Sequence, residues 1–246
     1  MNIYKRASAF LFDAILLAVL AVGLALILSA VTGYDRYAAE MEKIYADAEE
    51  KFGVSFDITE DEYNAMSDEM RQKYDEAAAA LNSDEHTVHT FGMVVSLAIT
   101  ILSVSVLLAF AALEFVLPLV FGDGRTLGKK IFGICVCRTD SVKITPVSLF
   151  VRTFIGKYTI ETMVPVLIVA MIYFRMVGIA GTAVIVMLAV LQIILVAATK
   201  THSPIHDLLA GTMTADYATQ RIFESTDELI EYKRKLAAEE AARSEY

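Results

Sequence analysis

KRASAFLFDAILLAVLAVGLALILSAVT, residues 5–32, is the stretch whose reading decides the fold. Ala14–Thr32 carries no charge, and the apolar character extends back through Ala7–Phe12 with Asp13 as its one interruption. A helix needs about 20 predominantly apolar residues to cross the hydrocarbon core of a bilayer, so this run reads as a membrane span. Two further runs match it. Phe91–Leu113 is uncharged and continues past Glu114 into FVLPLVFG (115–122), and Met176–Thr199 has Gln192 as its only strongly polar side chain. Tyr158–Phe174 is shorter, holds Glu161 and Pro165, and is closed by Arg175. Together with 176–199 it reads as a tight helical hairpin turning near Arg175–Gly181. The expectation is an all-α polytopic membrane protein built as a four-span helical bundle. In the three-span alternative, 158–174 lies in the interface or packs against the other helices.

The 246 residues are 56% hydrophobic and 21% charged, contain no Trp, and carry a net charge of −9. That excludes a disordered chain and a collagen-like repeat. Two cysteines two residues apart give no disulfide framework, and the acidic balance excludes a general nucleic-acid binder. The charge is partitioned. Residues 34–90 hold sixteen acidic and five basic side chains, a balance of −11, while the remainder stands at +2. The reading is a first span with an Arg/Asp motif (1–33), an acidic helical insert (34–90), a membrane domain (91–217) and a helical tail (218–246). Within 91–217 the spans are about 91–120, 158–174 and 176–199, and 122–157 is a basic loop.

Cytoplasmic loops carry the Lys/Arg excess near span ends. Lys5 and Arg6 precede the first span, and the 122–158 segment holds seven basic residues against Asp123 and Asp140. The expectation is a multi-pass cell-membrane protein with both termini cytoplasmic and the insert outside, which requires an even number of spans. Asp13, and Leu28 at the −3 position before Ala30, argue against signal cleavage, so the first span reads as a retained anchor.

In the insert, Tyr34, Tyr37, Met41, Ile44, Ala48 and Phe52 recur at helical spacing and form one apolar stripe. Gly53 breaks that helix. Thr59-Glu-Asp-Glu62 is a capping-box pattern opening a second helix, on which Met66, Met70, Tyr74, Ala77 and Leu81 share a face. The expected element is an amphipathic hairpin. No D-x-[DN]-x-[DN]-G spacing marks a calcium loop. The tail reads as a polar helix capped at Ser225-Thr-Asp-Glu228, with Glu231–Lys235 and Glu239–Arg243 pairs. Cys135 and Cys137 lack further ligands for a metal site and read as reduced thiols. ICVCRTDSVKITPVSLFVRTF (134–154) alternates enough for a short strand pair turning at Asp140-Ser141. Ile131, Phe132, Ile134 and Val136 would then enter the interface, with Lys129 and Lys130 at lipid phosphates.

An ionisable side chain at membrane depth costs about 2.5–3.5 kcal/mol on insertion scales and is a functional candidate by default. Asp13, Glu114, Glu161 and Asp207 qualify. Arg6 lies two turns from Asp13, about 10 Å along the axis, so Asp13 needs a partner from elsewhere, and Arg152 or Lys157 is the natural supply. His206 and Asp207 fall in the first turn of a short helix opened by Ser203 and Pro204, where the helix N-terminus favours the carboxylate. The competing reading of all these charges is structural: ion pairs that fix packing and topology.

Three blocks then carry a resemblance: Arg6, Ala9 and Asp13 in KRASAFLFDAILL; GRTLGKKIFGICV (124–136) followed by Arg152; and His206-Asp207 with Gly211-Thr212. In this order they resemble the RDD family of membrane proteins, with Arg6, Asp13 and Asp207 at the eponymous positions and Thr126, Leu127, Gly128, Lys129 and Gly133 in its most specific block. The resemblance covers the membrane part and leaves the insert and tail aside. It implies a polytopic membrane protein of a family proposed to act in transport, with some members linked to cation/proton antiport and others acting as adaptors in membrane complexes.

Two functions follow as expectations. In the first, a small cation is transported or exchanged for protons through the intramembrane carboxylates, with Arg6, Asp13, Glu114, Arg152, Glu161, His206 and Asp207 as the charge network; four spans being few for a carrier, an oligomer is expected. In the second, an adaptor recruits partner membrane proteins through the insert and tail. No G-x-S-x-G, H-E-x-x-H, Walker or dinucleotide motif is present, so neither catalysis nor a cofactor or resident metal is expected. The lipid bilayer is the one partner the composition requires.

Overall fold

The computed structural model describes residues 3–173, 177–199 and 202–244. In chain order, α1 (Ile3–Thr32) is followed by α2 (Tyr34–Phe52), α3 (Glu60–Ala65) and α4 (Asp68–Ser83). Next, α5 (Glu85–Phe110) runs through a π-helical turn, Ala111–Val116, into α6 (Leu117–Phe121). Then come α7 (Leu127–Ile131), β1 (Ile134–Arg138) and α8 (Pro146–Phe150), which continues as a π-helical stretch, Val151–Met163, and α9 (Val164–Tyr173). The chain proceeds through α10 (Gly178–Ala198), α11 (Ile205–Ala210), β2 (Thr212–Asp216) and α12 (Thr226–Ser244).

Four stretches are long and apolar enough to cross a membrane: Tyr4–Thr32, Glu85–Phe121, Pro146–Ile172 and Gly178–Ala198. Their outward side chains are apolar, as at Val22, Leu26 and Val31 on α1 and Met187 and Ile193 on α10. In water that surface would cost about 25 cal/mol per Å². In lipid it costs nothing, and a helix satisfies all its own backbone groups there. The chain is a multi-pass helical membrane protein.

The third span departs from the sequence reading, which began it at 158. The helix starts at Pro146, so Arg152 and Lys157 lie on it and the basic loop ends near 145. Charge marked those positions as loop, but each cation has a carboxylate partner, Asp207 for Arg152 and Glu114 for Lys157. Phe174, Arg175 and Met176 lie outside the described residues, so the expected turn at Arg175 does too. Beyond them, Gly181 is buried where a Cβ would lie 2.6 Å from Val177 Cγ2 and 3.0 Å from Ile172, which lets α9 and α10 approach closely.

The π turn within the second span has a legible reason. Pro118 has no N–H, so the Glu114 carbonyl loses its helical donor. Thr153 Oγ1 on the third span donates to that carbonyl at 2.9 Å. This bond between spans replaces the missing one within the helix.

The chain divides into two compact units, Met1–Leu20 with Leu107–Tyr246, and Ala21–Val106. Within the second, Met41 and Ala48 of α2 and Ala77 of α4 are buried. Thr59 and Glu62 form the expected capping box. The helix expected to run on from there is two helices: Met66 and Ser67 take extended backbone, and Ser67 Oγ accepts from Met70 N to cap α4. The membrane-crossing helix begins at Glu85, six residues inside the segment read as insert.

Within the first unit, β1 pairs antiparallel with β2, from Ile134 opposite Asp216 to Arg138 opposite Thr212. The sequence placed a hairpin here. The turn at Asp140-Ser141 exists, with Ser141 at φ 67, but its return strand makes only an isolated bridge, Cys137 with Lys143. The true partner lies far along the chain, and local alternation cannot show it. Ile134 and Val136 are consequently buried in the sheet rather than set in the interface. Helix α12 is anchored at its base, where Leu229 packs with Val142 and Phe223, and Ser225 Oγ accepts from Glu228 N.

Glycine positions test this packing. A Cβ on Gly156 would meet His206 Cβ at 2.5 Å and Cα at 2.6 Å, whereas Gly23 has nothing within 4 Å. Gly156→Leu should cost at least about 1–3 kcal/mol through overpacking against backbone. Gly23→Ala should be neutral or stabilise by up to about 1 kcal/mol. Thermal unfolding in detergent, followed by circular dichroism, measures both.

Candidate functional site, a cavity lined by paired charges

A cavity of about 450 Å³ lies among α1, the second and third spans, α10 and α11. One wall is apolar, from Ala9, Phe10, Ala14 and Leu17 of α1 together with Phe110 and Ile134. Among the described residues, the rest carries four basic side chains, Arg6, Lys129, Arg152 and Lys157, and four carboxylates, Asp13, Glu114, Glu161 and Asp207, with His206 among them. All seven residues expected to form the charge network line this one space.

Their pairing differs from the expectation. Asp13 is partnered by neither Arg152 nor Lys157. Its Oδ1 accepts from Gly128 N at 2.7 Å, and its Oδ2 accepts from Thr126 Oγ1. Lys129 Nζ lies 3.9 Å from Oδ2. Thr126 is the N-cap residue of α7, so Asp13 sits at that helix's exposed amides, where dipole and donors favour a carboxylate. Gly128 makes the approach possible. A Cβ there would collide with the Ala9 carbonyl oxygen and lie 2.9 Å from Asp13 Oδ1. Ala9 and Asp13, one helical turn apart, thus form a seat for Thr126-Leu127-Gly128, with Leu127 half-buried beside it.

Arg152 and Asp207 form the deepest pair, with side chains 2% and 1% exposed and Nε donating to Oδ1 at 2.7 Å. Thr212 Oγ1 donates to the same oxygen at 2.8 Å. Burial pushes the Asp207 carboxyl up, but Arg152, His206 and Thr212 outweigh it and hold the group well below its ordinary range. Among the described residues, Asp207 Oδ2 has no hydrogen-bond partner, and His206 Nε2 stands 3.7 Å from it.

His206 extends the chain of contacts. Its backbone N donates to Glu161 Oε1 at 3.0 Å, and Nδ1 lies 2.8 Å from Glu161 Oε2. Arg152 Nη2 lies 3.3 Å from Nε2. These contacts suit the tautomer with the proton on Nδ1. Burial pushes the imidazole below its ordinary 6.5, so it is neutral at pH 7. Gln192 Oε1 on α10 accepts from Ile205 N at 3.0 Å. Arg6 Nη2 donates to the His202 carbonyl at 2.9 Å.

The sequence sets Lys129 and Lys130 together at lipid phosphates, but in the structure the two separate. Lys130 Nζ lies 3.8 Å above the Phe121 ring. Lys129 turns inward, its side chain 11% exposed, and donates to Thr126 Oγ1 at 3.1 Å. Consecutive helical residues point about 100° apart, so a lysine pair within a short helix divides between surface and interior. Burial, assisted by Lys157, lowers the Lys129 ammonium to about 7 against the opposing pull of Glu114. Lys157 itself pairs with Glu114.

The remaining motif residues hold the frame. Gly133 and Gly211 take φ 66 and φ 62, the left-handed region that ends α7 and α11 and lets each chain turn into its strand. Thr153 and Gly156 go unmarked in the sequence, and Gln192 stands there only as the polar exception of its span. Only the proline four residues after Glu114 hinted that a donor such as Thr153 was needed. Among the described residues, no three His, Cys, Asp or Glu side chains are grouped to hold a metal ion.

The sequence model of the RDD family matches residues 2–211, which takes in Arg6, Asp13, the Thr126–Gly133 block and Asp207. The chain belongs to the RDD family. No curated protein and no solved structure matches it. In this RDD protein the family match runs through the acidic insert and stops one residue before β2.

Breaking the central pair should be costly. Asp207→Asn leaves Arg152 buried without its counter-charge and should destabilise the protein by about 3–5 kcal/mol, whereas Arg152→Met with Asp207→Leu should recover much of that loss. Denaturation in detergent measures it, and single variants as stable as the parent would contradict the pairing. For His206 the sign is also set. Its folded value lies below 6.5, so below that pH the unfolded chain binds a proton the fold does not, and stability falls with pH.

Proposed function

We propose that this RDD protein is a secondary carrier that exchanges a small monovalent cation for protons through the charged cavity. The observation that carries the reading is the balance of its lining: four basic groups against four carboxylates, with Lys129 facing Asp13. With every group charged, the cavity is neutral overall and offers a cation nothing. When Lys129 gives up its proton the balance becomes −1, and a cation can replace the lost ammonium charge beside Asp13 and Glu114. Reprotonation expels it. One proton then moves for each cation, and the apolar wall on α1 keeps water from carrying the charge. Because the ammonium titrates at about 7, the exchange is poised for neutral pH.

On this reading the N-terminus, the 122–145 segment and the C-terminal residues face the cytoplasm across the cell membrane, and the insert faces outward. Three contacts support placing those segments on one side: Lys5 with Asp216 at 2.9 Å, Arg6 with the His202 carbonyl, and the β1–β2 pairing. The work is carriage, not catalysis, and four spans favour an oligomer. A second reading, an adaptor, is supported by two helical modules carriage does not require, the insert and α12, whose Ile230 and Leu236 remain exposed.

Proteoliposomes test the carrier. Cation uptake driven by a pH gradient should rise as the pH on the binding side passes from 6 to 8. Lys129→Arg, whose guanidinium stays charged, should lose at least about tenfold, because the cavity cannot become anionic. Asp13→Asn should also fall sharply with folding retained. No flux in the parent protein overturns carriage; undiminished flux in Lys129→Arg overturns exchange at this lysine.

A further inference from the structure

The acidic insert contains a second cavity that the carrier reading does not use. It measures about 290 Å³, at the small end of ligand sites, which run roughly 300–1,000 Å³. Its walls come from Tyr45 and Met41 of α2, Phe56 of the connecting loop, Tyr74 and Leu81 of α4, and Phe91 of α5. The Tyr45 and Phe56 centroids are 5.5 Å apart and those of Phe56 and Tyr74 5.4 Å, each pair tilted by 57°. The three rings therefore tilt against one another along the cavity wall instead of closing as a flat stack.

Two observations say what such a space accepts. The first is charge: residues 34–90 stand at −11, and carboxylates sit close behind the rings. Glu49 Oε1 accepts from Phe56 N at 2.6 Å, and Asp75 Oδ1 accepts from the hydroxyl of Tyr63, whose ring meets Tyr74 at 5.3 Å. The second is where the insert's own cations go. Arg36 lies over Tyr37, Lys51 over Phe52 and Arg71 over Tyr63, all rings that do not line the cavity. Among the described residues, no Lys or Arg lies over Tyr45, Phe56 or Tyr74. A strongly anionic module thus keeps three aromatic faces clear of its own positive side chains.

We propose that this cavity binds an organic cation, a quaternary or substituted ammonium whose charge lies against the faces of Tyr45, Phe56 and Tyr74. A metal ion is unsuited, since beside rings, a thioether and alkyl groups the lining offers, among the described residues, only the Asn82 amide and the Thr87 hydroxyl, which already donates to Asp84, too few oxygens to replace its water shell. A substituted ammonium is weakly hydrated, spreads its charge over carbon, and gains from ring quadrupoles and apolar contact together. The surrounding carboxylates draw it in without contacting it and disfavour anions of the same shape. Val88 and Phe91, both half exposed, form the rim.

The test uses the full chain in zwitterionic nanodiscs and equilibrium dialysis, with empty discs subtracted. The probe is phenyltrimethylammonium, and its uncharged carbon isostere tert-butylbenzene is the control. One saturable site is expected for the cation, at least tenfold tighter than for the isostere and weakening as salt rises. Tyr74→Leu and Phe56→Leu keep apolar volume but lose the ring face, and each should weaken binding at least fivefold. Tyr37→Leu, outside the cavity, should leave it unchanged. Val88→Trp closes the mouth from an exposed position and should abolish binding even if a leucine variant fails to fold. Equal binding of the isostere, leucine variants that bind like the parent, or no saturable cation site each overturns the proposal. None of these readouts depends on flux through the other cavity.

Discussion

Arg152 and Asp207 cannot be moved apart without the third span losing its reason to be where it is. An unpaired guanidinium at this depth costs several kcal/mol, and the carboxylate that offsets it sits on a helix of six residues outside the spans. To bring that carboxylate within 2.7 Å, α11 must lie directly on the third span, and Gly156 clears the space for the His206 backbone. Once α11 is there, His206 meets Glu161, Thr212 meets Asp207, and β2 is delivered beside β1. The cavity is what remains between these enforced contacts and the Ala9 face of α1.

A common rule governs the other charges. Three of the four carboxylates hold more than one donor: Asp13 has a helix terminus and Lys129, Asp207 has Arg152 and Thr212, and Glu161 meets both the backbone N and Nδ1 of His206, while Glu114 pairs with Lys157. Multiple donors fix each group's direction as well as its charge. Such a lattice is rigid where every proton is held tightly. It can change state only at a group whose proton is held loosely, and among those outside the spans Lys129, at about 7, meets that condition.

The spans were legible because a bilayer allows few solutions: long uncharged runs identify themselves by length. The acidic, helical character of residues 34–84 was legible from composition and spacing, and the capping box at Thr59 from local hydrogen-bonding chemistry alone. The third span's start was not legible, because Arg152 and Lys157 look like loop residues until their partners 55 and 43 positions away are in place. The β1–β2 pairing failed for the same reason, since alternation marks a strand but not its mate. For the site, the sequence pointed to seven of the charged residues, set Lys129 at the lipid surface and mispaired Asp13, because a backbone amide and a threonine hydroxyl carry no charge to mark them as partners.

The pairing of β1 with β2 has a consequence for how the chain is made. Ribosomes deliver β1 and Arg152 well before Asp207 and β2, which follow the last span. Through that interval Arg152 has no carboxylate from α11, Thr126–Gly128 can already hold Asp13, and Ile134–Cys137 wait as an unpaired strand edge. The bundle therefore locks only when the final helix has crossed and its trailing residues fold back. A chain stopped between 199 and 207 would carry every apolar segment needed for insertion yet leave Arg152 without its counter-charge and β1 without its mate.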